Sequence, residues 1–150
     1  MFISDIRNVI VIGCGGTGAF LVGPLARYLR SQVFQGSLTL CDGDFFESTN
    51  LDRQLFGMGH VGTNKAAYHH AVTCNHLPDF ADKVSFIDEY LSKTDIENLV
   101  TEGTIVINCV DNKAARKYVE DRINALADAV HICCGNELHS GQVQIHIRQD

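Results

Sequence analysis

Short apolar runs rich in β-branched residues recur along this chain and alternate with stretches of helical periodicity. Such runs, mostly apolar and too short for a helix, are typical of strands buried on both faces of a parallel sheet. Strands that alternate with helices in this way place the helices on both faces of the sheet. The predicted strands are residues 8–13, 37–42, 83–88, 104–110 and 129–134.

The segments between these strands carry apolar residues at helical spacing. Helices are predicted over residues 16–30, 64–76 and 112–126, and residues 94–97 have the pattern of a capping box that opens a shorter helix. Pro24 is expected to kink the first helix, because it removes the hydrogen bond to the carbonyl of Phe20. The residues predicted to face the sheet are Leu21, Leu25, Tyr28 and Leu29, then Ala67, Ala71 and Cys74, and in the last helix Ala115, Val119, Ile123 and Leu126.

The last apolar segment, residues 141–148, differs because apolar and polar residues alternate strictly along it. Val143, Ile145 and Ile147 share one side of the predicted strand, and polar or charged side chains occupy the other. This pattern predicts a half-buried strand that pairs antiparallel. The predicted fold is therefore α/β and Rossmann-like, a mostly parallel sheet with helices on both faces and an antiparallel strand near the C-terminus.

Length and composition restrict the class of protein further. With 150 residues, 45% of them hydrophobic, the chain is predicted to form one domain over residues 1–150, either alone or as the N-terminal part of a longer protein. The net charge of −6 argues against general binding to nucleic acid or to acidic membranes. Six cysteines without metal-ligand spacing indicate a cytoplasmic setting. No apolar run approaches the roughly eighteen residues of a membrane span.

A glycine-rich loop, GCGGTG, follows the first predicted strand and opens the first predicted helix. Glycines let the backbone approach a phosphate, and a helix N-terminus offers unpaired N–H groups and a partial positive charge. Gly13, Gly15, Gly16 and Gly18 are therefore predicted to bind a nucleotide. The loop alone does not separate NAD, FAD and ATP, and the alternative is a tight turn that lets the helix pack closely.

Polar residues that follow the second and fourth strands are expected at the same edge of the sheet. Asp42 can accept hydrogen bonds from ribose hydroxyls, or it can be a solvated turn residue. Arg53, Gln54 and Lys65 suit a polyphosphate, although each alone is more often a surface residue. Asp111 can hold Mg²⁺ against phosphate oxygens, or it can cap the following helix.

Four segments, taken together, carry a resemblance to a known family. GCGGTG, DGDFFESTNLDRQLF, VGTNKA and CVDN, in this order and at these separations, resemble the adenylation domain shared by ThiF, MoeB and the ubiquitin-activating enzymes. The resemblance extends from about Asn8 to Arg148. It implies an adenylyltransferase that binds ATP·Mg²⁺, adenylates the C-terminal glycine carboxylate of a ubiquitin-like protein and releases pyrophosphate.

The resemblance also implies roles for individual residues. The glycine loop packs against the nucleotide, Asp42 takes the ribose, Asp111 is linked to Mg²⁺, and Asp44 is a second acid of the same motif with a less certain role. Catalysis falls to Arg53, Lys65 and Asp111, since neutralising the charge of the phosphates is the main task. The residues that the resemblance implies bind the phosphates are Asn50, Arg53, Gln54 and Lys65.

Cysteine motifs found in other members of the family bear on the proposed activity. Bacterial members carry paired CxxC zinc ligands, and many members carry a catalytic cysteine in a later loop, but this sequence contains neither. A catalytically silent nucleotide-binding or dimerisation module is the main alternative, and an NAD-dependent oxidoreductase is a remote one. The resemblance implies a homodimer or heterodimer. Cys14, at a helix N-terminus, is a candidate for a depressed pKa, whereas Cys41, Cys109, Cys133 and Cys134 are predicted core residues.

Overall fold

Strands and helices alternate along the chain as predicted. The computed structural model describes residues 5–136 and 140–149. Three short 3₁₀ turns, Ser48–Asn50, Met58–His60 and Ala81–Lys83, lie in the connections. The main elements are β1 (Asn8–Ile12), α1 (Gly16–Ser31), β2 (Ser37–Cys41), α2 (Lys65–His76), β3 (Val84–Ile87), α3 (Lys93–Leu99), β4 (Thr104–Asn108), α4 (Lys113–Asn124), β5 (Asp128–Asn136) and β6 (Gly141–Gln149).

The strands form one sheet in the order β3-β2-β1-β4-β5-β6. β1 pairs in parallel with both β2 and β4, so Val9 lies opposite Leu38 on one side and Ile105 on the other. The β2–β3 and β4–β5 pairs are also parallel, whereas β6 pairs antiparallel with β5. The predicted fold class is therefore confirmed. The strand order changes direction at β1, and open α/β sheets bind ligands beyond the carboxyl ends of the strands at such a point.

Both faces of the central parallel strands β1, β2 and β4 are buried. Val9 and Val11 of β1 belong to a core layer formed with α1 and α2, whereas Ile10 and Ile12 belong to a second layer formed with α3 and α4. Successive side chains of a strand point to opposite faces of the sheet. This two-sided burial explains why these strands are mostly apolar runs in the sequence.

The buried face of α1 differs from the predicted one. Leu29 is buried as predicted, but Tyr28 is exposed and Leu21 and Leu25 are only half-buried. Small side chains occupy much of the contact with the sheet, because they allow the helix to approach it closely. The helix continues through Pro24 to Ser31. The residues that α1 buries are Gly18, Ala19, Val22, Ala26 and Leu29.

The prediction of which face of α2 is buried is wrong. Ala71 is exposed, and Ala67 and Cys74 are half-buried. Helix α2 buries polar residues because it packs beneath the loop that follows β2, where the ring of Phe46 lies edge-on to His69. The residues that α2 buries are Lys65, Ala66, His69 and Thr73.

The prediction for α4 is confirmed, and the one for the start of α3 is corrected. Val119, Ile123 and Leu126 are buried and Ala115 is half-buried. The capping box of α3 uses Ser92 and Asp95, not residues 94 and 97. Ser92 Oγ accepts from the Asp95 N–H at 3.2 Å, and the Ser92 N–H donates to Asp95 Oδ2 at 2.9 Å. The two patterns overlap in the sequence, and the earlier one starts the helix at Lys93.

The apolar side of β6 is exposed, which contradicts the expected half-buried strand. Val143, Ile145 and Ile147 are 63%, 62% and 59% exposed. The core layer formed with α1 extends over β5 only as far as the half-buried Ile132 and Cys134. Strand β6 lies beyond that layer, at the edge of the sheet.

Among the described residues, no helix combines the length and the apolar character needed to cross a membrane.

Candidate functional site

A cleft of about 1030 Å³ opens where β1, β2 and β4 end. All of the residues predicted for the site line this cleft except Gly18. Their common position follows from the parallel arrangement, since the carboxyl ends of these three strands lie at the same edge of the sheet. The predicted residues that line the cleft are Gly13, Gly15, Gly16, Asp42, Asp44, Asn50, Arg53, Gln54, Lys65 and Asp111.

The glycines of the loop have two different functions. Gly13 has φ +94°, and a Cβ there would lie 2.8 Å from the Val110 side chain. A Cβ on Gly18 would lie 1.9 Å from the carbonyl oxygen of Gly13. These two positions therefore require glycine for packing. Gly15 and Gly16 border the cleft without such close contacts, so their backbone is accessible to a ligand.

Asp42 connects the glycine loop to the loop that follows β2. Its Oδ2 accepts from the backbone N–H of Cys14 at 2.6 Å, and its Oδ1 accepts from the N–H of Asp44 at 2.9 Å. Burial raises the pKa of Asp42, while the two backbone N–H groups and the charge of Lys65 act in the opposite direction. Each carboxylate oxygen retains a second lone pair, so Asp42 can hold the loop and still accept from a ligand hydroxyl.

Asp44 holds Lys65 and Tyr90 together. Lys65 is buried, and its Nζ lies 3.1 Å from Asp44 Oδ2. The Tyr90 hydroxyl donates to Asp44 Oδ1 and is the main cause of the lowered pKa of Asp44. Gly43 makes room for this contact, since a Cβ there would lie 2.7 Å from the Tyr90 ring. Sequence reasoning missed Tyr90, although its place after β3, at the edge where β1 and β2 end, was an available signal.

Asn64 organises the loop between β2 and α2. Its Nδ2 donates to the carbonyls of Asp42, Asp44 and Asp88 at 2.8, 3.1 and 3.4 Å. Its Oδ1 accepts from the Ala67 N–H at 3.0 Å and so caps α2. This one side chain fixes the start of α2, and with it the position of Lys65. Its role was visible in the sequence only as the start of a predicted helix.

An aromatic cluster supports the segment that carries Arg53 and Gln54. Phe46 is fully buried and stacks on Phe56, with ring centroids 4.0 Å apart. Asn50 is also buried, and its Oδ1 accepts from the Glu47 N–H at 3.2 Å. Arg53 is exposed, and Gln54 places a buried Oε1 that has no hydrogen-bond partner within the described residues. The segment therefore presents the cation of Arg53 to the cleft, and Gln54 also lines it.

Asp111 does not cap α4. Asn112 is the N-cap, and its Oδ1 accepts from the N–H groups of Ala114 and Ala115 at 2.8 and 3.4 Å. The Asp111 side chain is 93% exposed, and its Oδ1 lies 4.0 Å from Arg116 Nη2. The carboxylate is therefore open to a ligand or a cation from the cleft.

Cys14 does not have a depressed pKa. The thiol is completely buried, and burial raises its pKa well above the usual value. The hypothesis based on the helix N-terminus is wrong, because desolvation of the thiolate outweighs the partial charge of the helix. Cys14 and Cys41 are core residues, while Cys109, Cys133 and Cys134 are only half-buried.

The sheet order, the glycine loop at the first strand and the cleft at the point where the order reverses define a Rossmann-like α/β protein. Within that class, this chain belongs to the ThiF family, whose family model matches residues 3–150. The resemblance inferred from the four sequence segments is confirmed.

Curated relatives match most of this chain but only part of their own length. The SAMP-activating enzyme E1 of Haloferax volcanii is 32% identical over 115 residues, covering 76% of this chain and 40% of that enzyme. The adenylyltransferase and sulfurtransferase MOCS3 of Mus musculus is 35% identical over 114 residues, covering 75% and 23%. The SUMO-activating enzyme subunit uba-2 of Caenorhabditis elegans is 32% identical over 142 residues, covering 94% and 23%. The chain thus spans less than half the length of these relatives.

Solved structures share the fold. The microcin C7 biosynthetic enzyme MccB, in complex with N-formylated MccA, is 26% identical with a TM-score of 0.67, covering 89% of this chain and 37% of that one. MccB of E. coli with ATP is 24% identical with a TM-score of 0.71, covering 97% and 42%. Both likenesses extend over most of this chain and therefore support its fold.

Proposed function

We propose that residues 1–150 form an adenylation domain that uses ATP and Mg²⁺ to adenylate the C-terminal carboxylate of a ubiquitin-like protein, with release of pyrophosphate. The observation that carries this proposal is the meeting of the glycine loop, Asp42, Arg53 and Lys65 in one cleft. Membership of the ThiF family, and relatives named as an adenylyltransferase and as SAMP- and SUMO-activating enzymes, support this class of reaction.

In the proposed complex, the residues of the cleft divide between the ribose and the phosphates of ATP. Asp42 accepts from the ribose hydroxyls, and the backbone of Gly15 and Gly16 lies against the nucleotide. The exposed guanidinium of Arg53 can form paired hydrogen bonds to phosphate oxygens. Lys65 adds a second cation from the buried start of α2. The side-chain amides of Asn50 and Gln54 supply neutral donors.

The proposed reaction needs no nucleophile from this chain. An oxygen of the substrate carboxylate attacks the α-phosphorus, and a bond from that oxygen to phosphorus forms. The bond between the α-phosphorus and the oxygen that bridges to the β-phosphate breaks, and pyrophosphate leaves. An anion is attacking a polyanion, so the contribution of Arg53 and Lys65 is to neutralise charge and to hold the reacting groups in line.

Asp111 is the proposed protein ligand of Mg²⁺. Its exposed carboxylate is a hard oxygen donor, as this cation prefers. Within the described residues, no group of three or more His, Cys, Asp or Glu side chains is assembled to hold a metal. A cation at Asp111 would therefore complete its shell with phosphate oxygens and water, which is how Mg²⁺ commonly binds beside nucleotides. The ion would supply additional positive charge at the phosphates.

The proposed partners are a ubiquitin-like carrier in the cytoplasm and a second subunit. The apolar row Val143, Ile145 and Ile147 on the edge strand β6 supports a subunit contact, because exposed apolar rows on sheet edges favour association. Sedimentation of the wild type and of Ile145→Lys tests this part. A dimer that the substitution dissociates supports it, and a wild type that remains monomeric at high concentration contradicts it.

ATP–pyrophosphate exchange in the presence of a ubiquitin-like carrier with a C-terminal glycine tests the proposed reaction. We expect exchange that requires both Mg²⁺ and the carrier and that Asp111→Ala abolishes. Protein that binds ATP but exchanges with no carrier would be a silent nucleotide-binding module. Preferential binding of NADH over ATP would contradict the proposed mechanism altogether.

A further inference from the structure

A pair of thiols lies beneath the glycine loop, and the proposed reaction gives neither of them a role. Asn108 of β4 is paired with Cys133 of β5 in the parallel ladder. The residues that follow, Cys109 and Cys134, therefore continue side by side. Both side chains pack against the core layer formed with α1 and α2. They consequently point to the same side of the sheet.

The position of these two thiols suits a disulfide. Neighbouring strands lie about 4.8 Å apart, and the Cα atoms of disulfide-bonded cysteines lie roughly 4.4 to 6.8 Å apart. Both residues are half-buried, so a small oxidant can reach them. Burial, followed by the adjacent Cys134 thiol, raises the pKa of Cys109 to about 12. Cys109 is therefore a poor first nucleophile.

The other cysteines are less suited to this pairing. Cys14 and Cys41 are buried in the core. Cys133 immediately precedes Cys134 on β5, so its side chain points to the opposite face of the sheet. Cys74 is also half-buried, but it lies on α2 and not on the sheet. Cys109 and Cys134 are thus the two half-buried thiols at the ends of neighbouring strands that share one face.

We propose that Cys109 and Cys134 form a reversible disulfide in the presence of a small-molecule disulfide such as oxidised glutathione. The Cys134 thiolate attacks one sulfur of the oxidant, forming a mixed disulfide and releasing one glutathione thiolate. Cys109 then loses its proton and attacks Cys134 Sγ, and the second glutathione leaves as a thiolate. Two protein thiols are oxidised, and one molecule of oxidised glutathione is reduced to two thiols.

This disulfide would act on the cleft through Cys109. Cys109 lines the cleft, and its carbonyl carbon would lie only 3.0 Å from a Cβ on Gly13. Arg116 already links the ends of the two strands, since its Nε donates to the Val110 carbonyl at 2.8 Å and its Nη2 to the Cys134 carbonyl at 3.1 Å. Bonding Cys109 to Cys134 therefore changes the support of the glycine loop. We therefore expect oxidation to lower the affinity for ATP. This expectation rests on the proposed nucleotide binding.

Peptide mapping after oxidation tests the disulfide without reference to ATP. Purified protein is incubated with oxidised glutathione, its remaining thiols are alkylated under denaturing conditions, and its peptides are analysed by mass spectrometry. We expect two of the six thiols to escape alkylation and one linked pair of peptides, containing Cys109 and Cys134. Dithiothreitol should restore all of them. A bond that involves Cys133 or Cys14 instead, or unchanged alkylation, would overturn the proposal.

Matched variants extend the test to the consequence for ATP. Cys134→Ser lies outside the cleft lining and should bind ATP as the reduced wild type does, without sensitivity to the oxidant. Cys133→Ser should still form the disulfide and keep the sensitivity. Undiminished ATP affinity in wild-type protein that carries the mapped disulfide would overturn the coupling. Failure of the reduced wild type to bind ATP would refute the proposed function and leave the mapping result intact.

Discussion

The two walls of the cleft are held in place in different ways. The anchored wall consists of residues 13–18 and Asp42. The backbone N–H of Cys14 donates to the Asp42 carboxylate, and Gly18 packs against the Gly13 carbonyl. The solvent wall consists of Arg53 and Asp111, whose side chains are exposed. The comparison teaches that a residue in a binding motif can serve the fold first, and that substitutions should separate the two kinds.

Gly18→Ala is expected to have the largest effect, because it damages the anchored wall. The new Cβ would lie 1.9 Å from the Gly13 carbonyl oxygen, a backbone atom that cannot move without displacing the loop. We expect a loss of about 4 kcal/mol or more in the free energy of unfolding, or failure to fold. Urea denaturation measures it.

Gly23→Ala is the matched control, in the same helix. A Cβ on Gly23 would meet only the end of the Arg27 side chain, at 3.6 Å. Alanine favours the helix by about 1 kcal/mol over glycine, so this variant should be as stable as the wild type or more stable. Equal destabilisation at both positions would show that the anchored wall is not special.

Arg53→Ala tests the solvent wall. Its side chain is exposed, so the free energy of unfolding should change by no more than about 0.5 kcal/mol. Loss of the cation that we propose binds the phosphates should lower the rate of ATP–pyrophosphate exchange by about 100- to 1,000-fold. Arg53→Lys is a useful control, since it keeps the charge and loses the paired hydrogen bonds. A strong loss of stability in Arg53→Ala would contradict the distinction between the walls.

Acid should weaken the packing of His69 against Phe46, in the aromatic cluster that supports the segment carrying Arg53. His69 lies edge-on to Phe46, and burial lowers its pKa from 6.5 to about 4. As the pH falls below 6.5, the unfolded chain takes up the proton first, so stability is constant above that pH and decreases between 6.5 and 4. The decrease attributable to His69 should approach about 3 kcal/mol. Unfolding of wild type and His69→Leu across this range measures it, and an identical pH dependence in both would contradict it.

Two adjacent residues provide the finest comparison. Asn112→Ala removes the N-cap of α4 and should cost about 1 kcal/mol in the free energy of unfolding. Asp111→Ala removes an exposed carboxylate and should leave stability within about 0.5 kcal/mol of the wild type. Thermal or urea unfolding of the two variants checks the difference. Equal losses would mean that Asp111 also serves the fold.

The sequence predicted best where one physical effect dominates. The central parallel strands β1, β2 and β4 were evident because burial on both faces leaves apolar runs. Helix α4 was evident for a similar reason, since Val119 and Ile123 face an apolar layer. Helix α2 was mispredicted because it buries Lys65 and His69 beneath a loop, and no apolar periodicity records such a contact.

The site was predictable in position but not in detail. Asp42, Arg53 and Asp111 follow strands or belong to a recognisable motif, so their gathering at one sheet edge could be expected. The bond from Tyr90 to Asp44 depends on how the loop after β3 approaches Gly43, which the sequence pattern does not encode. The exposure of Ile145 was missed because strict alternation indicates which residues share a side, not whether anything covers that side.

The central claim is that this cleft holds ATP between an anchored and a solvent wall. Titration with ATP in the presence of Mg²⁺ tests this claim most directly. The measurement is calorimetry, carried out on the wild type and on Arg53→Ala. NADH serves as the alternative ligand for the wild type. We predict binding of one ATP per chain by the wild type, weaker or no binding of NADH, and a marked loss of ATP affinity in Arg53→Ala with an unchanged unfolding midpoint. A folded wild type that does not bind ATP, or Arg53→Ala that binds it with undiminished affinity, would contradict the account.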